Sequence, residues 1–306
     1  MNLKKTISVA GALCLALSMT ACGGGSAGNT AENATNTDGG SAGMTGSITV
    51  VTREEGSGTR GAFVEIFEVV DEDGNDDITQ TAEIGNGTSV ILTSVENDRQ
   101  AIGYISLGSL RDTVKALLVD GTAATTDNVK NGSYRVSRPF LIATNGEPIK
   151  PEVLDLIHFI FSEEGQNVAE ARGYVSLGNN GSFTSNGASG TVVVAGSTSV
   201  APLMEHLQEA YNAINPDVRI EIQSSGSSAG LTAAIDGLCD IAMSSRDIRD
   251  SETASGLIGQ LICIDGLAVV VNQDNPLNGI TSEQVKEIYL GNQNDWSFVN
   301  QGYEKR

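Results

Sequence analysis

Three times along this 306-residue chain a short apolar, strand-like run stops at a cluster of Gly, Ser and Thr, and a helical pattern begins at once. SITVVT (47–52) runs into Glu55-Gly-Ser-Gly-Thr-Arg60, TVVVA (191–195) into Gly196-Ser-Thr-Ser199, and VRIEIQ (218–223) into Gly226-Ser-Ser-Ala-Gly230. Helices are predicted over Ala62–Val70, after Ser199 and over Leu231–Leu238, with a further short strand over Asp240–Met243. In the second helix Val200, Leu203, Met204, Leu207, Ala210 and Tyr211 fall on one apolar stripe, and His206 lies off it as a solvated residue. Strand–turn–helix repetition of this kind predicts an α/β fold with mainly parallel sheets.

The turns carry the chemistry. A helix N-terminus presents unpaired N–H groups and a partial positive charge, and hydroxyls add donors, so each turn is a candidate anion cradle. Any one of them alone reads as an ordinary Ser/Thr N-cap; three together, with Arg53 and Arg246 beside such turns, point to binding. Two motif matches fail. Gly56-Ser-Gly-Thr-Arg-Gly61 fits the dinucleotide fingerprint, with Asp71 and Asp73 downstream, but an exported chain has little access to NAD, and no cofactor is expected. Gly226-Ser-Ser228-Ala-Gly230 fits a hydrolase nucleophile elbow, yet both histidines, His158 and His206, precede Ser228, out of order for a catalytic base. No enzyme and no catalytic residue are expected.

Export is read from the N-terminus. Lys4 and Lys5, an apolar run from Ile7 to Leu17 and small residues make 1–21 a signal peptide. Met19-Thr20-Ala21-Cys22 resembles a lipobox, with Met19 in place of the usual Leu, so Cys22 is the expected lipidation site. Residues 22–46 hold almost nothing that could be buried and read as a flexible tether to the membrane. Of four cysteines only Cys239 and Cys263 remain for the folded part, as a disulfide or as two buried thiols. No CxxC or HExxH spacing offers a metal site. A formal net charge of −20 opposes nucleic-acid binding.

At this point the blocks VVVAGSTSVAPLMEHLQEAY, IEIQSSGSSAGL, DIAMSSRDI, DGLAVVVNQDNPL, ITSEQVKEIYLG and VVTREEGSGTRGAF, with GYISLG, RPFL and SEEGQNVAEARGYVSL, resemble the phosphate-binding lipoproteins of ABC importers, receptors of the periplasmic-binding-protein-like class. They cover most of residues 47–300, in an order that departs from the family: the REEGSGTRG half precedes the GSTSVAP half, as in a circular permutation. One chain could still assemble both lobes, since permutation is tolerated where ends lie close. A truncated tandem, with halves pairing between molecules, is the alternative.

The resemblance implies a type II, two-lobe fold of mixed sheets flanked by helices. Lobe 2 comprises 47–140 plus 276–306 and lobe 1 comprises 141–275, with crossings near Arg138–Ile142 and Leu267–Asn275. It places phosphate donors on Thr198, Ser199, Ser227, Ser245, Arg53, Ser57, Gly58 and Thr59. Ser245 stands where some members have an Asp, so Glu55 is the candidate acceptor for the phosphate proton, with Asp247 second. Tyr104 and Tyr174, in the near-repeat GYISLG and GYVSLG, read as packing elements, and Trp296 as a loop anchor. Implied partners are inorganic phosphate, the permease subunits and, through the lipid, the outer face of the cell membrane. Receptors for sulfate or molybdate, or a non-transport surface interaction or sensing role, are the alternatives.

Overall fold

The computed structural model describes residues Met44–Asn300; the signal peptide, Cys22 and all of the tether before Met44 lie outside the described residues. The strands are β1 (Thr49–Arg53), β2 (Glu83–Gly85), β3 (Ala101–Ser106), β4 (Val114–Ala116), β5 (Leu118–Val119), β6 (Ser137–Asn145), β7 (Val175–Ser176), β8 (Gly190–Gly196), β9 (Val218–Ser224), β10 (Ile241–Ser244), β11 (Leu257–Asn272) and β12 (Gly279–Ile280). The helices are α1 (Gly58–Phe67), α2 (Thr88–Asn97), α3 (Thr126–Lys130), α4 (Pro151–Ile160), α5 (Glu163–Ala171), α6 (Ala201–Asn212), α7 (Ser227–Ile235), α8 (Asp250–Ala254), α9 (Ser282–Tyr289) and α10 (Ser297–Asn300). None of them is long and apolar enough to cross a membrane.

One continuous path of strands, β2-β1-β3-β11-β6-β10-β8-β9, runs through both lobes. Pairing is parallel within β2-β1-β3 and β10-β8-β9, as the strand–turn–helix repeats require, and antiparallel wherever β11 or β6 takes part. The sheet is therefore mixed, not mainly parallel: the 16-residue β11 first pairs with β6 over Leu257–Gly266 and then with β3 over Leu267–Val271.

Two main cores follow from that change of partner. One gathers Val51, Phe63, Ile91, Tyr104, Leu267–Val271, Ile288 and Trp296; the other gathers Phe140, Leu156, Val194, Leu203, Tyr211 and Ile241. Along β10 and β8 burial alternates with the strand period: Ile241, Met243 and Val194 face the second core, while Ala242 and Ala195 face a small-residue layer with Leu231 of α7. Leu267–Val271, expected with residues 141–275, pack in the first core because β11 has already joined β3. The crossing accordingly falls at Asp265–Leu267 against Val136–Arg138, where Leu267 N–H donates to Val136 O at 2.8 Å.

At that crossing Arg138 and Asp265 form a buried ion pair (3.2 Å), and Ser106 Oγ donates to the same carboxylate at 2.8 Å. Burial pushes Asp265 up to about 6, with the Arg138 charge and the Ser106 hydrogen bond pulling the other way. The folded chain thus holds a proton that the unfolded chain has released, so this group's contribution to stability is present below 3.8 and is lost as pH rises through about 6. Asp265→Asn should remove that slope. The difference in urea-unfolding free energy between the two proteins is expected to change between about pH 4 and 6 and to level above pH 7; a constant difference would contradict the assignment.

The two ends of the described chain lie together. Ile48 N–H donates to Asn294 O at 2.8 Å, Trp296 N–H to Gly46 O at 3.0 Å, and the fully buried Trp296 indole to Gln100 O at 3.1 Å. Both halves thus pair within one chain, and no exchange between molecules is needed to complete either core. Met44 is buried in the first core, although it falls inside the stretch expected to be tether to residue 46.

Candidate functional site

Each lobe contributes two strand-to-helix turns to one place. From lobe 2 come β1 into α1, through Gly56 (φ +81°) and the N-cap Ser57, and β2 into α2, through Gly87 (φ +103°). From lobe 1 come β8 into α6, through Gly196 (φ +136°), and β9 into α7, through Gly226 (φ +92°). Positive φ at each bend is glycine's province. At Gly196 space demands it too, since a Cβ would sit 2.3 Å from Met243 O. The β2–α2 turn, Gly85-Asn-Gly-Thr-Ser89, has the Gly and hydroxyl composition of the other three but follows a strand of only three residues, too short to show in the sequence pattern.

Hydroxyls from these turns meet across the lobes. Thr59 Oγ1 lies 2.8 Å from Ser199 Oγ, and Thr88 Oγ1 lies 3.3 Å from Ser199 Oγ and 3.4 Å from Thr198 Oγ1. Within lobe 1 Ser245 Oγ is 2.9 Å from Ser197 Oγ and 3.3 Å from Ser227 Oγ. Gly58 closes against this group, where a Cβ would approach Ser227 Oγ to 2.4 Å and Ser245 Oγ to 2.8 Å. Ser199, Ser227 and Ser245 are completely buried, and Thr59 is 1% exposed.

Arg53 is the cation of the cluster, 2% exposed at the end of β1. Its Nη2 donates to Thr198 Oγ1 of the other lobe (2.9 Å) and its Nη1 to Thr59 Oγ1 (3.3 Å). Its backbone is set by Tyr104, whose hydroxyl accepts from Arg53 N–H (3.2 Å), lies 2.7 Å from Thr52 Oγ1 and belongs to a ring stacked on Phe63 at 3.9 Å. Such a ring pair contributes about 0.5–1.5 kcal/mol beyond its burial. Tyr104 is therefore a packing element, as expected, that also positions the arginine.

The carboxylate in the cluster is Glu54, not Glu55. Glu54 accepts both Nε (2.7 Å) and Nη2 (2.6 Å) of Arg53 and the Gly87 N–H (3.1 Å). Burial raises its pKa, but the Arg53 hydrogen bonds and charge and the Gly87 N–H outweigh it and hold the carboxyl below the ordinary 4.5. Its stabilising contribution is thus complete above pH 4.5 and is lost as pH falls through the depressed folded value. Glu55 is exposed and faces an outer cavity of about 530 Å³, shared with Ser57, Arg60, Ser228 and Arg246; Asp247 is exposed as well. Thr198, Ser199, Ser227, Ser245, Arg53, Gly58 and Thr59 are brought together, and Ser57 stands at the rim as the α1 cap. Glu54, Gly87 and Thr88 are the members that spacing alone did not reveal.

Cys239 and Cys263 are both free and buried, and burial raises both thiols. Among the described residues no group of His, Cys, Asp and Glu is arranged to hold a metal. What the cluster offers is one guanidinium, many neutral donors and four helix N-termini at the C-terminal ends of parallel strands, the place where open α/β sheets take ligands. These are the requirements of a tetrahedral oxyanion stripped of water.

Comparison with known proteins agrees with that chemistry. The PBP superfamily domain model matches residues 181–305. The phosphate-binding protein PstS 2 of Streptococcus agalactiae serotype V is 46% identical over 256 residues, 82% of this chain and 87% of that protein. Its counterpart from Streptococcus pneumoniae serotype 4 is 39% identical over 303 residues, 98% of this chain and 100% of its own. The crystal structure of a phosphate ABC transporter phosphate-binding protein from Streptococcus pneumoniae TIGR4 matches with a TM-score of 0.65 at 41% identity, covering 83% of this chain and 100% of that one. One alignment through both halves requires that the serotype 4 relative carry its blocks in this same order, so the arrangement is shared. The chain belongs to the PstS family of phosphate-binding proteins.

Proposed function

We propose that this chain is an exported receptor, held at the outer face of the cell membrane by a lipid on Cys22, that encloses one inorganic phosphate between its lobes and delivers it to the permease of an ABC importer. The observation that carries this reading is the buried donor cluster built from both lobes, with Arg53 and Thr59 on one side and Thr198 and Ser199 on the other. Phosphate entering it exchanges water for fixed donors, each unmet acceptor costing about 1–3 kcal/mol. Thr198, Ser199, Ser227, Ser245, Arg53, Ser57, Gly58 and Thr59 supply the donors, by hydroxyl, guanidinium or backbone N–H. The chain acts by binding and handing on, without catalysis. Titration with phosphate tests it; absence of binding at micromolar protein would reject it.

Selectivity is assigned to Glu54. Phosphate near neutral pH keeps a proton to donate, whereas sulfate has none and meets only repulsion from a carboxylate. Glu54 is ionised and adjacent to Arg53, whereas Glu55 is exposed. Glu54→Gln is expected to narrow the phosphate-to-sulfate affinity ratio by about tenfold or more, the scale of one charge-assisted hydrogen bond, with Glu55→Gln leaving it unchanged. Competition titrations giving the opposite pattern would return the acceptor role to Glu55.

A further inference from the structure

Arg246 stands outside the donor cluster and is only 8% exposed. Its Nη1 donates to Asp247 O (2.7 Å) and Glu252 Oε2 (2.9 Å), and its Nη2 to Glu252 Oε1 (2.7 Å) and Ser228 Oγ (3.1 Å). The bidentate Glu252 pair fixes the guanidinium plane, and the fourth bond ties it to the first turn of α7. The same turn reaches the opposite lobe, since Ser228 N–H donates to Gly56 O at 3.1 Å, a carbonyl presented by the left-handed Gly56. The stem of Arg246 also lies against that lobe, for a Cβ on Gly61 would be 3.7 Å from its Cδ. Gly56, Gly58 and Gly61, the glycines of the rejected dinucleotide pattern, thus face Ser228, Ser227 with Ser245, and Arg246 in turn.

We infer that Arg246 is a positioning residue for retention of the anion: clamped by Glu252, it holds the α7 first turn in register with Gly56 O and latches the rim of the closed lobes without touching phosphate. The inference rests on the receptor reading and deepens it. A latch acts after closure, so its loss speeds escape and leaves capture alone. An arginine that merely steers anions would instead change capture, in a salt-dependent way.

The test is stopped-flow measurement of inorganic phosphate association and dissociation on the full chain, at two salt concentrations. Arg246→Ala is expected to raise the dissociation rate about tenfold or more while association stays within about twofold at both salts, with Arg246→Lys intermediate. Ser228→Ala and Glu252→Gln, which remove the acceptor and the clamp, shift dissociation in the same direction and keep the inference testable if Arg246→Ala fails to fold. Unchanged dissociation in all of these variants, or a salt-dependent loss of association, overturns the latch while the receptor reading stands. Absence of phosphate binding by the wild type overturns the receptor reading and the latch with it.

Discussion

Arg53→Met lowers phosphate affinity by about a thousandfold and leaves the fold in place, because one side chain serves both lobes and its guanidinium is bonded to hydroxyls of each. Hydrogen bonds to a charged group are worth about 1.5–3 kcal/mol each, and two of them lie on the scale of that loss. Glu54 adds to it, since without its guanidinium partner the carboxylate faces the incoming anion uncompensated. Methionine fills the volume, and Tyr104 continues to hold the strand through Thr52 and the Phe63 stack. Arg53→Lys keeps the charge but loses the planar fork, so its affinity falls between the two. Calorimetric titration beside thermal unfolding checks this; near-wild-type affinity in Arg53→Met would place the site elsewhere.

Gly58→Ala weakens binding by about ten- to a hundredfold, the effect of a 1–3 kcal/mol overpacking cost borne by the closed lobes alone. The added methyl would stand 2.4 Å from Ser227 Oγ, 3.0 Å from Ser227 Cβ and 2.8 Å from Ser245 Oγ, all on the opposite lobe. With the lobes apart it meets nothing there, and alanine in the first turn of α1 is a better helix former than glycine. Affinity should therefore fall with no loss of thermal stability. Small-angle scattering with phosphate should show reduced compaction; equal compaction and affinity would mean that the two lobes do not close on this face.

Much of this architecture is legible in the sequence because glycine and hydroxyl clusters at strand ends have few structural uses. Thr198, Ser199, Ser227 and Arg53 were placed by the turns and by the family blocks, and of the predicted stripe Leu203, Met204, Leu207 and Tyr211 lie buried on α6, with Val200 buried at its N-cap and Ala210 half-buried. The choice between Glu54 and Glu55 was not legible: adjacent residues in a turn point apart, and only the turn's dihedral angles decide which one meets Arg53. Met44 was lost to the tether because a lone apolar residue among Gly, Ser and Thr has no periodicity. The crossing was displaced because β11 runs on as one strand from Leu257 to Asn272, and its change of partner from β6 to β3 falls inside the strand, after Asp265-Gly266.

Titration calorimetry of the purified chain with phosphate, and in parallel with sulfate, while light scattering follows its mass, tests the central claim most directly. A monomer that binds one phosphate tightly, and sulfate far more weakly, is the result this account predicts. Heat from neither anion, or phosphate binding by a dimer alone, would contradict it.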